Sequence, residues 1–526
     1  MADERMTRAG WPGRRHGGAI RRSLLMLALV GTSVAGAGFV VRVAGAQPGG
    51  TGVAGCFDPA SFGAVPNDAA DDRAPIQAAV DAAAAAGRGT VCLGGGRWTV
   101  TRAPVGSYNR FAAVATHSAH LTLTGGGPGT VLELVGDQQA GDTAVISLDP
   151  GASDITIERL TIDTSAATNT AEQTHAIAIG SGVCSAANGT CSMPVTDITV
   201  RDVVFAHPAL PGFRKGDCIR LLGNTPATAV RRVSIIGSSF TNCARSGIGV
   251  QRNVFSLAVL GNHFGERIGD TPFDSEATGG AGDDGLRLIG NSFADAPATF
   301  SATVTTYQHV IVTGNTFAGR GLFLYRTQDV VVADNTFDVT APSGEGVIDV
   351  ENAADGVKID NNQIRRHGAA GAGIRVVPHS GAFPQQVSIS NNTIVLDGDS
   401  NGVSGESVRN IGIRDNDITF TGPAPNGSGV ILQGITGPLE EVDITGNTIA
   451  GPLSDSGGNT YFAAVRLDSR PGQIIGVTVA LNSSRGALRS LTCTQRDPSG
   501  FPQPVVSLGN RWNIAPTCIA ALTAGQ

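Results

Sequence analysis

The sequence has few charged and few aromatic residues, 15% and 5% of its 526 positions, whereas an average globular protein carries about 25% charged residues. It contains no CxxC pair, and its 72 glycines follow no Gly-X-Y period, which excludes a collagen-like chain. Hydrophobic residues make up 41% and are spread along the length, which argues against a long disordered chain. Because one compact core stops growing at about 250–300 residues, the chain must form several domains or a repeat architecture that grows along one axis while its core keeps the same width.

A long apolar run lies near the N-terminus. Arg14, Arg15, Arg21 and Arg22 precede an apolar stretch at residues 24–41, and small residues follow at 44–46. This order is typical of a signal peptide and predicts residues 1–46 as the removed segment, with an uncleaved anchor as the alternative. The pair Arg21-Arg22 also resembles a twin-arginine signal. We therefore expect a secreted or extracytoplasmic protein that is not held in a membrane after cleavage.

Removal of that segment leaves an acidic chain. Residues 1–46 contain seven arginines against Asp3 and Glu4, a net charge of +5, so the formal charge changes from −7 to −12. This charge disfavours nucleic acid as a partner, because phosphate binding needs a basic face. A polyanionic substrate would need local arginines or a bridging cation. We expect the protein to be a monomer.

All eight cysteines follow residue 46, and an even number in an exported chain indicates disulfides. Their spacing is not that of a zinc site. The simplest pairing joins nearest neighbours, although sequence alone leaves the connectivity open. That pairing is Cys56–Cys92, Cys184–Cys191, Cys218–Cys243 and Cys493–Cys518.

One short pattern recurs through most of the chain. Two apolar residues are separated by one position, Asn follows three positions after the second, and Phe or Ile follows two positions after the Asn, as in residues 257–264. From Phe240 to Ile449 the copies are 20–31 residues apart. Period-2 alternation of β-branched residues predicts strands rather than helices, and a period of this length predicts a solenoid of stacked parallel strands. The repeated asparagines are predicted to stack at one corner, at positions 262, 291, 315, 335, 362, 392, 416 and 447.

The N-terminal segments 57–65, 71–80 and 89–98, read with this repeat, resemble the pectate-lyase-like right-handed parallel β-helix superfamily. The resemblance implies an all-β, single-stranded right-handed parallel β-helix with a short N-terminal capping helix. We predict a cap at 47–114, coils at 115–512 and a tail at 513–526. Asp71 or Asp72 is predicted to cap a helix that ends near Ala86. Proteins of this fold act on polysaccharides as lyases, hydrolases or epimerases, or bind them as adhesins.

Each coil is predicted to contain a strand whose side chains alternate between the core and the outside. When the two core-facing residues of this strand are aligned from coil to coil, with Ser275 and Ala277 as the core-facing pair of their coil, the outward-facing residues form two columns. The first column reads Arg220, Gly249, Glu276, Thr303, Phe323, Asp349, Arg375, Ser404 and Arg466. The second reads Leu222, Gln251, Thr278, Thr305, Tyr325, Glu351, Val377, Glu406 and Asp468. On this alignment Asp274 lies one outward step before Glu276.

Two carboxylate pairs on these columns are the catalytic candidates, Asp274 with Glu276 and Asp349 with Glu351. Each pair spans about 6.5–7 Å along a strand, and the two pairs lie three coils apart, about 14 Å. Phe323 and Tyr325 lie between them and are predicted sugar platforms. The remaining predicted substrate-binding residues are Arg220, Arg466 and His379. A merely solvated polar face is the alternative for each pair.

Two reactions fit these residues, and the resemblance narrowly favours a lyase. In a lyase, Asp349 and Glu351 would bind Ca²⁺ to neutralise a uronate, and Arg375 would take the C5 proton. In a hydrolase, one carboxylic acid would protonate the leaving oxygen and a second would act as base or nucleophile. Asp283-Asp284 resembles the paired aspartates of polygalacturonases more weakly. A non-catalytic carbohydrate-binding scaffold is the third possibility, and no organic cofactor is expected.

Overall fold

Three parallel sheets wind around one continuous apolar core in the computed structural model of the chain. The structure describes residues 55–105, 110–138, 142–169, 173–180, 192–207, 216–276, 283–295, 300–340, 344–368, 370–378, 382–451, 462–469, 474–486, 489–495, 505–511 and 522–523. The predicted signal segment lies outside these residues. Among the residues described, no helix combines the length and apolar character needed to span a membrane.

Each coil contributes one short strand to each sheet, and the strands of neighbouring coils pair in parallel, which confirms the predicted parallel β-helix. Sheet A contains Cys56–Phe57, Gly89–Leu93, Ala119–Gly125, Ser153–Glu158, Val195–Arg201, Val230–Ile236, Val254–Leu260, Asp284–Ile289, Gln308–Thr313, Gln328–Ala333, Asp355–Asp360, Gln385–Ser390, Arg409–Arg414, Leu439–Thr445, Ile474–Ala480, Val505–Leu508 and Leu522–Thr523. Sheet B contains Gly96–Val100, Thr130–Leu134, Thr161–Asp163, Val204–His207, Ser239–Cys243, His263–Ile268, Ser292–Phe293, Thr316–Gly319, Thr336–Val339, Gln363–Arg366, Thr393–Leu396, Asp417–Phe420, Thr448–Ala450 and Ser483–Arg485.

Sheet C is the third face and carries the predicted site. It contains Ala103–Pro104, Arg110–Thr116, Asp142–Leu148, Thr174–Gly180, Ile219–Leu222, Ile248–Val250, Phe273–Ser275, Phe300–Thr305, Gly321–Tyr325, Gly346–Glu351, Ala372–Val377, Asn401–Glu406, Ser428–Gly434, Ala463–Ser469 and Arg489–Gln495. Its first pair is antiparallel. A separate two-stranded ribbon joins Gly136–Gln138 to Ala167–Asn169.

The helix Arg73–Ala85 covers the N-terminal end of the core, as predicted, and buries Ile76 and Val80. Asp72 is its N-cap residue, but the side chain makes no capping bond and instead accepts from the backbone N–H of Val65 at 2.8 Å. The neighbouring Asp71 accepts from the N–H of Arg73 at 3.0 Å. Asp72 therefore ties the helix to the preceding segment. Two short 3-10 helices lie at Pro59–Phe62 and Pro226–Thr228.

The predicted asparagine column is confirmed as a buried hydrogen-bonded ladder. The Oδ1 atom of Asn335 accepts from the backbone N–H and the side-chain amide of Asn315, each at 2.9 Å, and the same contacts recur from coil to coil through Asn482 and Asn510. The left-handed backbone falls on the residue before each ladder Asn, for example Asp334 at φ 56°. The interior beside the ladder is filled by stacked rings of Phe205, Phe240, Phe264, Phe293, Phe317 and Phe337, with centroids 4.5–4.8 Å apart.

Two of the four predicted disulfides are present among the described residues, Cys56–Cys92 and Cys218–Cys243. The other two predicted pairs each include a cysteine outside the described residues. Disulfides of this kind are typical of proteins that fold in an oxidising compartment.

Candidate functional site

The predicted site residues other than His379 lie on the outer face of sheet C, where the parallel register brings one outward residue per coil into a column. In strand order the first column is Arg220, Gly249, Asp274, Thr303, Phe323, Asp349, Arg375, Ser404, Ile431 and Arg466. A second column, two residues further along, includes Thr305, Tyr325, Glu351 and Val377, and later Glu406, Gln433 and Asp468. We call these two columns and their contacting side chains the candidate face.

The predicted alignment is wrong in one coil. Phe273 and Ser275, not Ser275 and Ala277, align with the inward residues Ile248 and Val250. Phe273 is fully buried, and burying an aromatic ring stabilises a coil more than burying a small Ala side chain does. Asp274 therefore occupies the column position that we predicted for Glu276, and Glu276 lies one outward step further along the chain.

Asp274 and Glu276 remain a pair of outward carboxyl groups, both half-buried. Asp274 Oδ1 accepts a hydrogen bond from Thr303 Oγ1 at 2.5 Å, and Glu276 Oε2 accepts from Gln251 Nε2 at 3.0 Å. Burial, together with the neighbouring charge of Glu276, raises the pKa of Asp274 to about 6 against the opposing hydrogen bond from Thr303. Such a carboxyl can hold a proton in mildly acidic solution and release it in neutral solution.

A polar network extends from this pair towards the N-terminal coils. Arg220 is buried and donates to the amide oxygens of Gln173 and Gln251 at 2.6 and 2.7 Å, and its Nη1 lies 3.2 Å from His175 Nε2. Gln251 thereby connects Arg220 to Glu276. The predicted substrate-binding Arg220 thus has its Nη1 and Nη2 atoms engaged within the protein.

Asp217 and Arg245 form a second part of this network that the sequence analysis missed. Arg245 donates to both carboxylate oxygens of Asp217, at 2.8 and 2.7 Å. Burial lowers the pKa of Arg245, but the Asp217 contacts outweigh it and the net change is upward. The Asp217 carboxylate lies over Gly249, where a Cβ atom would approach Asp217 Oδ2 to 2.6 Å. In the sequence this contact is indicated only by Gly249, the column position without a side chain, which leaves room for the Asp217 carboxylate.

Three aromatic rings form a platform beside the acid pair. Phe300 stacks on Phe323 with centroids 5.1 Å apart, and Phe323 stacks on Tyr325 at 5.9 Å. Phe323 and Tyr325 are half-buried, and Arg326 lies 5.1 Å over the Tyr325 ring. Partly exposed rings on an outer sheet face can stack against the apolar faces of sugars. The role of Phe323 and Tyr325 as sugar platforms stays a prediction.

Arg375 lies at the centre of the second predicted cluster. Its Nε is 2.9 Å from Asp349 Oδ2, its Nη2 is 2.8 Å from Glu345 Oε2, and it also contacts Glu351. Asp349 is 0% exposed, and burial raises its pKa although Arg375 opposes the change. Burial lowers the pKa of Arg375, but its ion pairs, that with Asp349 foremost, raise it overall. Glu345 was missed from the sequence because it precedes the strand.

The same cluster is the only group among the described residues whose ligand atoms are grouped as a metal site requires. Glu345, Asp349 and Glu351 each offer an oxygen, and these atoms lie within 4.8 Å of one another. Ca²⁺ takes six to eight oxygen ligands, but here the Arg375 guanidinium already binds all three carboxylates. The residues therefore do not fit Ca²⁺ while Arg375 keeps this position. Calcium binding stays a prediction.

The remaining candidates lie apart from the acid pair or outside the described residues. Arg466 pairs with Asp468 at 3.5 Å, seven strands along sheet C from Asp274. His379 lies outside the described residues. Asp283 and Asp284 belong to the sheet A side, where buried Asp283 accepts from the N–H of Val254 at 2.8 Å. A cavity of about 750 Å³ lies beside the N-terminal helix, and none of the predicted site residues lines it.

Comparison with known proteins identifies the class of fold. Residues 227–394 match the family described as the right handed beta helix region. The chain is a right-handed parallel β-helix protein. No curated protein matches this β-helix chain in sequence.

Solved structures of the same fold are similar over most of the chain. One is a tailspike protein of an E. coli bacteriophage in complex with a pentasaccharide, with 12% identity, a TM-score of 0.50 and coverage of 86% of this chain and 78% of that one. Another is the A-module of a mannuronan C-5 epimerase of Azotobacter vinelandii, with 16% identity, a TM-score of 0.38 and coverage of 87% and 100%. A third is a surface adhesin of Streptococcus pneumoniae, with 16% identity, a TM-score of 0.42 and coverage of 71% and 93%. The fold hosts unrelated functions, so function must be argued from the site.

Proposed function

We propose that this β-helix protein is an exported hydrolase of polysaccharide glycosidic bonds, with Asp274 as the general acid. The carrying observation is that Asp274 and Glu276 project from one face and that burial raises the pKa of Asp274 to about 6. A glycosidase needs one carboxylic acid to protonate the leaving oxygen and a second carboxylate as base or nucleophile. Glu276 supplies the second group. The nearby aromatic platform supports a glycan as the substrate. The disulfides and the net negative charge of the protein support a substrate outside the cell.

The proposal predicts that Asp274→Asn lowers kcat by at least about 100-fold, because the reaction loses its proton donor. Glu276→Gln should do the same while the protein stays folded. Activity of the native protein should fall as the pH rises through about 6, where Asp274 loses its proton. The measurement is release of reducing ends from a panel of soluble glycans. Asp329→Asn, an exposed carboxylate of sheet A, is the matched control and should leave turnover unchanged.

Elimination at the Arg375 cluster is the second candidate function. The observation that favours it is the convergence of three carboxylates at one charged cluster. An arginine base must give up its proton first, whereas the ion pairs of Arg375 raise its pKa. Products that absorb near 235 nm, lost with chelator and with Arg375→Lys, would favour elimination over hydrolysis. Binding of a glycan without turnover in the native protein would favour a carbohydrate-binding scaffold instead.

A further inference from the structure

We infer that the candidate face accepts glycans without carboxylate groups and discriminates against polyuronates. This inference rests on the proposed function for its substrate, a polysaccharide, but it concerns the charge of that polysaccharide. A uronate chain carries one negative charge per sugar, so a face that binds it must present cations that are free to pair with it.

The arginines of the two columns are already engaged. Arg375 binds three carboxylates, and Arg466 lies 3.5 Å from Asp468. Arg220 is buried and donates to two glutamine side chains. A uronate would have to compete with these partners for each guanidinium group. The carboxylates of the protein have the advantage in this competition, because they are already in position before a ligand binds.

Over the whole of the two columns, carboxyl groups outnumber arginines: Asp274, Glu276, Asp349, Glu351, Glu406 and Asp468 stand against Arg220, Arg375 and Arg466. The column arginine nearest the acid pair Asp274 and Glu276 is Arg220, which donates to Gln251, and Gln251 in turn donates to Glu276. The second cluster sets three carboxyl groups against Arg375. Glu406 follows two strands later, half-buried. A bound uronate would face like charges, which costs affinity when the charges are only partly hydrated.

The column positions between the two clusters are uncharged, and the exposed guanidinium of Arg326 lies beside them over the Tyr325 ring. Thr303 and Thr305 precede the aromatic platform of Phe323 and Tyr325 in the two columns. Hydroxyls and aromatic rings are the groups that contact a neutral sugar, through hydrogen bonds and ring stacking. The middle of the face therefore combines neutral column residues with the cation Arg326, and carboxylates lie on both sides.

The test compares each of three polyuronates, polygalacturonate, polymannuronate and glucuronan, with its own carboxyl-reduced counterpart, so that the chain linkage is constant within a pair. Retention of Asp274→Asn protein in affinity gels that contain each polymer measures binding without turnover. At low salt we expect at least one reduced polymer to retain the protein roughly tenfold more strongly than its parent. The preference should shrink as salt screens the charges over a Debye length of about 8 Å at physiological ionic strength.

Two charge variants check that the candidate face is the cause. Glu406→Lys should strengthen retention by the parent polyuronates, whereas Asp417→Lys makes the same change of charge on sheet B and should not. Stronger retention by polyuronates than by their reduced forms would overturn the inference, as would retention by none of the reduced polymers. Equal effects of the two variants would overturn the assignment to this face. Hydrolysis is judged separately, because loss of reducing-end release in native protein would contradict the proposed function and leave the binding preference measurable.

Discussion

At the scale of single residues, Arg375 holds the buried acidic cluster together. Its removal would leave Asp349, which is 0% exposed, beside Glu345 and Glu351 without a counter-charge. Breaking a buried ion pair by removing one partner costs about 3–5 kcal/mol. We predict that Arg375→Ala lowers the free energy of unfolding by about 3 kcal/mol in urea titrations. Arg414→Ala, which removes a surface partner of Asp443, should cost under about 1 kcal/mol, and equal losses would contradict the buried role.

Asp283 is a second buried carboxyl, and burial raises its pKa to about 7 from 3.8. The folded state therefore favours the protonated acid, and the stability that it contributes at low pH is lost as the pH rises from about 4 through 7. The shift corresponds to about 4 kcal/mol. Asp283→Asn keeps an acceptor for Val254 and removes the charge. It should stabilise the protein at pH 8 but not at pH 4, and a pH-independent effect would contradict this account. Asp417→Asn, at an exposed position of sheet B, is the control.

At the scale of repeated elements, the asparagine ladder links the coils. Asn335 accepts two bonds from Asn315 and donates to the Val312 carbonyl at 2.9 Å, all in buried surroundings. Asn335→Ala leaves these groups without partners, and each unsatisfied buried group costs about 1–3 kcal/mol. We predict a loss of at least about 2 kcal/mol in the free energy of unfolding. The control is Asn426→Ala, which removes an exposed bond from the Asn426 amide to Asp399. A similar loss there would show that the ladder is not special.

The strands and their columns could be predicted from the sequence because a period-2 pattern repeated in every coil states which side chains face the core. The ladder positions and the contact of Asp349 with Arg375 followed directly from that period. The coil at Phe273 failed because its local pattern offers two alignments two residues apart, and only packing selects the one that buries Phe273. The contact of Asp217 with Arg245 could not be found, because both residues precede their strands, Ile219–Leu222 and Ile248–Val250, where the period does not state which way a side chain faces.

At the scale of the whole molecule, the solenoid turns its repeat into a long surface. Adjacent parallel strands lie about 4.8 Å apart, so the Phe323 strand, two strands from that of Asp274, is about 10 Å away along the axis. A chain of several sugars can reach both, whereas an aryl monosaccharide can contact the acid pair alone. This geometry separates binding of a long substrate from the chemistry of one bond.

The double variant Phe323→Ala with Tyr325→Ala should therefore raise KM for a polymer by roughly tenfold and change kcat little, because it removes stacking and no reacting group. Hydrolysis of an aryl monosaccharide should be unaffected. The matched control is Phe255→Ala, which removes a partly exposed ring stacked with Arg231 on sheet A. Steady-state kinetics on both substrates decide the outcome. An equal fall in kcat on the polymer and on the monosaccharide would mean that the rings support the acid pair instead of binding distant sugars. That result would contradict a substrate that extends along the solenoid axis from the acid pair to the rings.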